Sequence, residues 1–250
     1  MKLTVLASGS SGNGYLLEGR NSALVIECGV RPTDLFRVTG VRPGKVAGCL
    51  VTHEHGDHAG FVDMYAALGL RIYASQGTIS KVIRPGSLAR AHRLVAMSSY
   101  VIGDFIVRPF DVRHDAEEPL GFVIEHQELG RLLFVTDTRI VPYTFKSQKV
   151  DHILVEANYS DTILDERVED GVLDIARAAR VRGTHMSIQA AIDFVVANET
   201  ERLKNVILIH ISGENADPGY FVKKVQDMVL FADVKAARPG LAVELKPNDF

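Results

Sequence analysis

Short apolar runs rich in β-branched residues recur along the chain, most of strand length and stopping at Gly, Asp, His or Asn. They include LTVLA, YLLE, ALVIE, AGCLVT, RIYA, YVIGDFIV, GFVIEH, RLLFVT, HILVE and NVILIH. Such runs read as buried strands that deliver polar groups to the edge of a sheet. Helical patterns lie between some of them: DHAGFVDMYAALG from Asp57, SIQAAIDFVVANE from Ser187, and PGYFVKKVQDMVLF from Pro218. ILDERVEDGVLDIARAAR also reads as helix, broken or bent at Gly171. Ser187 stands where an N-cap belongs, with Ile188, Ala191, Ile192 and Val195 on one side of the helix that follows. Strands dominate the first half, and the second mixes strands with longer helices. No repeat, low-complexity tract or Pro/Ser-rich linker interrupts the 250 residues. The expectation is one mixed α/β layered domain over residues 1–250 rather than two.

Charge and cysteine content narrow the function. The net charge is −3, so a chain-wide basic footprint for nucleic acid is missing, although a local patch can exist. Cys28 and Cys49 make no disulfide framework and read as small buried thiols in a reducing compartment. The N-terminal MKLTVLASGSSGNG has too short an apolar run for a signal peptide, and no run reaches bilayer length. A soluble, cytoplasmic protein with no membrane partner is expected.

The densest chemistry is VTHEHGDHAG, Val51 to Gly60. His53 and His55, two apart, point the same way from an extended segment. Gly56 allows a sharp turn, and Asp57 and His58 follow. Neutral imidazole and carboxylate are ligand types that suit zinc, manganese or iron. Such a loop can aim two histidines at one ion and the Asp–His pair at a second, as two-metal hydrolysis requires at separations of ~3.5–4 Å. A lone His is most simply a surface residue; the H-x-H-x-D-H order is not. Further ligands must come from elsewhere, and the candidates follow strands: His114 after FIVRPFDVR, Asp137 in TDTR, and His210 ending NVILIH. Each alone is equally a capping Asp or a satisfied buried His. All three at strand exits point to one sheet edge.

THEHGDH, a strand-end His, then TDT, then a late strand-end His resembles the metallo-β-lactamase-fold hydrolases. The resemblance implies a four-layer αββα sandwich with mixed sheets and two divalent metal ions, Zn²⁺ or Mn²⁺ with iron a further option. It assigns His53, His55 and His114 to the first metal and Asp57, His58 and His210 to the second, with Asp137 bridging. The segments TVLASGSSGNGYLLE, VTHEH, RHDAEEPLGF, FVTDTR, VEANYSD, GTHMSIQAA and IHISGENAD follow the order of the YycJ/WalJ-like branch, from residue 4 to about 217. That branch is associated with removal of nucleotides from 5′ ends of DNA. Two departures stand out: Glu27 in IECG replaces the usual Asp, and Tyr159 stands where relatives often have His. A carboxylate with one more methylene can still orient a metal-binding His if the geometry adjusts.

The implied chemistry is attack by a metal-bound hydroxide on a phosphodiester. Asp57 is the candidate to orient the nucleophile. His185, in GTHMSIQAA just before Ser187, is the candidate acid for the leaving oxygen, as a His in a similar GHST setting is in tRNA-processing nucleases of this fold. Glu156 in LVEAN pairs with it to keep it protonated. Equally, His185 reads as a plain helix-start residue and Glu156 as an ordinary strand-end acid. The Ser8–Gly14 turn is most simply structural, with phosphate contact secondary. The resemblance implies that Ser212 and Asn215 near His210 support that ligand.

A DNA exonuclease is therefore the leading expectation, with a phosphodiester substrate, DNA, as partner. A small-molecule phosphodiesterase is the alternative, favoured by the acidic balance and the absence of tryptophan for base stacking. A thiolester or lactone hydrolase and a non-catalytic scaffold are lesser readings. The arginines of Arg84–Arg93, with His92, offer a substrate rim or a solvated loop.

Overall fold

A computed structural model describes residues 1–248 of the chain. Its first strands are β1 (Lys2–Ala7), β2 (Gly14–Glu18), β3 (Ala23–Ile26), β4 (Val46–Leu50), β5 (Ile72–Ala74) and β6 (Ala91–Arg93). Then come β7 (Tyr100–Ile102), β8 (Phe105–Asp111), β9 (Leu120–His126), β10 (Gly130–Val135) and β11 (His152–Glu156). The last are β12 (Asn205–Ile209), β13 (Asp233–Ala236) and β14 (Ala242–Glu244). The helices are α1 (Pro32–Thr39), α2 (Gly56–Ala59), α3 (Val62–Ala67), α4 (Gln76–Val82), α5 (Asp161–Glu169), α6 (Ile175–Thr184), α7 (Ile188–Asn198) and α8 (Pro218–Gln226). The strands form two mixed sheets and the helices flank them, an α/β fold as expected.

The residues fall into two compact units. The first comprises residues 1–111, 116–131 and 238–247. It holds a seven-stranded sheet in the order β14-β1-β2-β3-β4-β5-β6. The pairs from β14 to β3 are antiparallel, and those from β3 to β6 are parallel. An apolar cluster covers one part of it: Val25, Cys28, Leu35, Cys49, Val51, Val62, Tyr65, Ile72 and neighbours are buried together. The same unit contains the antiparallel ladder β7-β8-β9. YVIGDFIV is thus two strands rather than one run. Gly103 sits at φ +59°, and Ile102 pairs directly with Phe105 across the turn that it allows.

The second unit comprises residues 112–115, 132–237 and 248–250, of which 249 and 250 lie outside the described residues. Its strands β10-β11-β12-β13 are all parallel. That arrangement explains why HILVE is buried at every position and NVILI at all but its first: parallel strands are covered on both faces. Ser187 caps α7, its Oγ accepting from the Ala190 N–H at 3.2 Å. The long pattern around Gly171 divides into α5 and α6, with Gly171 at φ +69° and the Asp174 side chain capping the second helix.

Candidate metal centre and active site

In the first unit, the segment leaving β4 runs extended through Thr52, His53 and His55 and enters α2. His53 and His58 are buried, while His55 and Asp57 are half-buried. The ring centroids of His53 and His55 are 4.6 Å apart, and those of His53 and His58 4.2 Å. The four side chains that the sequence singled out in this loop are therefore gathered.

The expected helix from Asp57 is broken into α2 and α3, and the hydrogen bonds give the reason. The Phe61 N–H, which would continue the helix to the Asp57 carbonyl, donates instead to the Cys28 carbonyl at 2.9 Å. The Asp57 carbonyl accepts from the Asn13 N–H at 2.7 Å, and the His58 carbonyl from the Cys28 N–H at 2.7 Å. The strand exit after β3 and the turn before β2 thus take over the helix's backbone groups. Gly29 makes that approach possible, since a Cβ there would lie 1.7 Å from the Asp57 carbonyl oxygen.

Glu27, fully buried, organises the histidines from behind. The Thr52 hydroxyl donates to its Oε1 at 2.6 Å, and the Thr52 N–H to Oε2 at 3.3 Å. With its proton so used, the Thr52 oxygen accepts from His53 Nδ1 at 2.9 Å. His58 Nδ1 lies 3.3 Å from Glu27 Oε1. The departure from Asp to Glu thus retains a carboxylate that reaches one imidazole directly and another through Thr52. Asn13, in the turn read from sequence as structural first and a phosphate contact second, braces the loop: its Nδ2 donates to Asp57 Oδ2 at 3.2 Å and lies 3.1 Å from His58 Nε2.

In the second unit, register does the positioning. Val135 pairs with Val155, and Val155 with Leu208, so two residues further on Asp137, Ala157 and His210 stand level at the strands' carboxyl ends. Asp137 and His210 are buried, at φ +44° and +50°. With Glu27 at +67°, three of the five non-glycine residues in left-handed conformation among the described residues are at these strand exits. Strain of this kind persists where the surroundings over-determine it, typically at functional sites.

Asp137, Glu156, His185 and His210 each place one ligand atom within 4.8 Å of the others'. Glu156 Oε1 lies 2.6 Å from His185 Nδ1 and 3.1 Å from His210 Nδ1. Its Oε2 accepts from the N–H groups of Thr138 and Met186 at 3.0 and 3.2 Å. Burial pushes Glu156 upward, but the His185 charge and the imidazole hydrogen bonds outweigh it, and the carboxyl ends below its ordinary range. Burial pushes His185 downward, and the Glu156 carboxylate more than compensates, so its pKa is raised. Sequence reasoning missed Asn158, whose Nδ2 donates to the His210 carbonyl at 3.0 Å; the Ser212 N–H donates to the Asn158 carbonyl at 3.0 Å.

His114 Nδ1 donates to the Thr184 carbonyl at 3.0 Å, which leaves a lone pair on Nε2. That atom faces Asp115 Oδ1 at 3.2 Å and Asp137 Oδ2 at 3.4 Å. Burial, partly offset by Asp137 and Glu156, holds His114 below its ordinary pKa and so favours the neutral ring. In the first unit, His58 Nε2 faces Asp57 Oδ2 at 3.2 Å. An imidazole nitrogen and a carboxylate oxygen facing each other at such a distance could hold a cation between them. The donor set of each unit, imidazole plus carboxylate oriented from behind, fits a divalent ion.

A profile of the Beta-lactamase superfamily domain matches residues 27–211, from Glu27 to one residue past His210. The chain belongs to that superfamily. It is 27% identical over 265 aligned residues to "Exodeoxyribonuclease WalJ" of Streptococcus pneumoniae, covering 99% of this chain and 93% of the relative. It is 28% identical to "Exodeoxyribonuclease YycJ" of Bacillus anthracis, covering 86% and 84%. The fold matches the metallo-β-lactamase fold protein YhfI of Bacillus subtilis with a TM-score of 0.74 at 16% identity, over 97% of this chain and 98% of that one. Family and relatives together support a hydrolase, and the expected metallo-β-lactamase fold is the one observed.

Proposed function

We propose that this protein is a dinuclear metal-dependent nuclease that removes nucleotides from the 5′ ends of DNA. The observation carrying the metal chemistry is the orientation of the histidines. His53 and His114 each turn Nδ1 towards an oxygen that accepts its proton, which leaves the lone pair on Nε2 for an ion. In this reading the two ligand sets serve one centre in a single functional domain. His53, His55 and His114 would hold one ion; Asp57, His58 and His210 would hold the other; Asp137 would bridge. The single family profile, which runs through both sets, supports treating them as one. The relatives named as exodeoxyribonucleases support DNA as substrate. Cys28 and Cys49, buried and unbridged, suit a reducing cytoplasm.

When bound, zinc or manganese ions supply Lewis acidity that lowers the pKa of water towards ~7 and neutralises charge on the phosphate. Asp57 orients the attacking water and takes its proton. Water oxygen bonds to phosphorus as the bond to the leaving O3′ breaks. His185, held protonated by Glu156, gives that oxygen its proton and is left neutral.

The test is a digestion panel of 5′-phosphorylated duplex DNA, single strands, RNA and cyclic dinucleotides, beside turnover of bis(p-nitrophenyl) phosphate. Duplex degradation from the 5′ end, abolished by chelator and restored by Mn²⁺ or Zn²⁺, is expected. Preference for a cyclic dinucleotide would replace the nuclease with a small-molecule phosphodiesterase, the reading that the net charge of −3 and the lack of tryptophan favour. No turnover with any metal would leave a scaffold.

A further inference from the structure

A cavity of about 720 Å³ opens on the second unit, lined by Arg113, Arg139, Arg182, Tyr159, Asp161 and Ser187 among others. Its walls are extensions of the segments that carry the acid side of the site. Arg113 immediately precedes His114, Arg139 lies two residues past Asp137, Tyr159 three past Glu156, and Ser187 two past His185. Hydrogen bonds tie these walls together: the Arg113 N–H donates to the Thr138 side-chain Oγ1 at 3.1 Å, and the Ile188 N–H to the Tyr159 carbonyl at 2.8 Å.

The charge in this cavity is unbalanced. Arg182 is taken up by acids, its Nε 2.9 Å from Asp161 Oδ1 and its Nη2 2.6 Å from Asp165 Oδ1. That pairing also accounts for Asp161, the one carboxylate in the wall. Arg113 and Arg139 are exposed, and their guanidiniums have no ion-pair partner among the described residues. Two uncompensated guanidiniums at one concavity call for an anion. Their planar, forked donors match phosphate oxygens, and a phosphomonoester brings more charge than an internal diester.

The chemistry of the proposed reaction says which phosphate. Cleavage from a 5′ end leaves O3′ on the departing nucleotide, and that oxygen is the one His185 protonates. The departing nucleotide therefore lies on the His185 flank, and Gly183 and Ser187, two residues to either side of His185, line this cavity. We infer that the cavity seats the departing nucleotide and that Arg113 and Arg139 clamp its 5′-phosphate. The inference rests on the 5′-exonuclease reading, and two readouts keep their failures apart.

The first is calorimetric titration of deoxyadenosine 5′-monophosphate and of deoxyadenosine into the wild-type protein and the R113Q/R139Q variant. The wild type is expected to bind the monophosphate about tenfold or more tightly than the nucleoside, and the variant to lose that margin. No measurable binding of the monophosphate, or equal binding by the variant, overturns the assignment. The single variants R113Q and R139Q carry the test should the double variant not fold. The second readout is the ratio of cleavage rates on 5′-phosphorylated and 5′-hydroxyl duplexes, expected to favour the phosphorylated end in the wild type and to collapse towards one in the variant. An identical ratio in both proteins sinks the clamp while the nuclease reading stands. Loss of monophosphate binding in the variant with no DNA cut by the wild type sinks the nuclease reading while the phosphate site stands.

Discussion

Glu27→Gln isolates the part of the site that no ligand list contains. In the folded protein the Glu27 carboxylate accepts from the Thr52 hydroxyl at 2.6 Å and the Thr52 N–H at 3.3 Å, with His58 Nδ1 at 3.3 Å. A glutamine keeps the shape but offers one oxygen and one NH₂ group. With its oxygen at the Oε1 position, the NH₂ meets the Thr52 N–H donor to donor, and a buried amide goes unsatisfied. Turned the other way, the NH₂ faces His58 Nδ1 and the Thr52 hydroxyl, and His58 loses the group that fixes its proton. Either arrangement costs about 1–3 kcal/mol. For a chain of this length that is a fall in Tm of roughly 3–9 °C. Metal affinity should fall further, by about 10–100-fold, because an imidazole with a mobile proton is a weaker ligand. Differential scanning calorimetry of the chelator-treated protein measures the first effect, and competition with a chromophoric chelator measures the second. Unchanged metal affinity in E27Q would refute the claim that Glu27 prepares the histidines, whatever happens to Tm.

Other perturbations test other parts. Gly29→Ala would push a Cβ to 1.7 Å from the Asp57 carbonyl oxygen and 2.7 Å from the Asn13 nitrogen, so a loss of about 1–3 kcal/mol with weakened metal binding is expected; a wild-type melt contradicts it. Asp137→Ala should lower occupancy at both metal positions by elemental analysis, and retention of two ions would end its bridging role. His185→Ala should slow cleavage with metal content unchanged, whereas metal loss would make His185 a ligand. The Glu156–His185 pair should also shape stability in chelator-treated protein. The raised His185 contributes fully below ~6.5, and that contribution fades as pH rises through its folded value; the lowered Glu156 contributes above ~4.3 and fades as pH falls through its own. Urea melts of wild type and H185A should therefore differ most between about pH 4.3 and 6.5, and a pH-independent gap would exclude the ion pair.

Much of this molecule is written in local pattern. Buried runs such as HILVE and NVILI announce strands because continuous apolar side chains suit a strand covered on both faces. Ser187 announces a helix start because its hydroxyl satisfies an N–H left open there. The loop from His53 to His58 declares its chemistry through residue type and spacing alone. These signals survive in sequence because each depends on neighbours within a few residues.

What tertiary structure decided depends on partners far along the chain. Local periodicity carried one helix from Asp57, but Cys28 and Asn13 claim its backbone groups from 30 to 44 residues away and split it. Asn13 lay in a turn that read as structural, and only the fold shows that what it braces is Asp57. Glu27 looked like a departure to be accommodated and stands behind His53 and His58. Arg113 and Arg139, unremarked among scattered arginines, share a cavity with Tyr159 and Ser187 only once strand ends are brought side by side. Composition and spacing determine which groups a chain can offer. Strand register and long-range hydrogen bonds determine which of those groups meet, which proton each imidazole keeps and which charges are left without a counterpart.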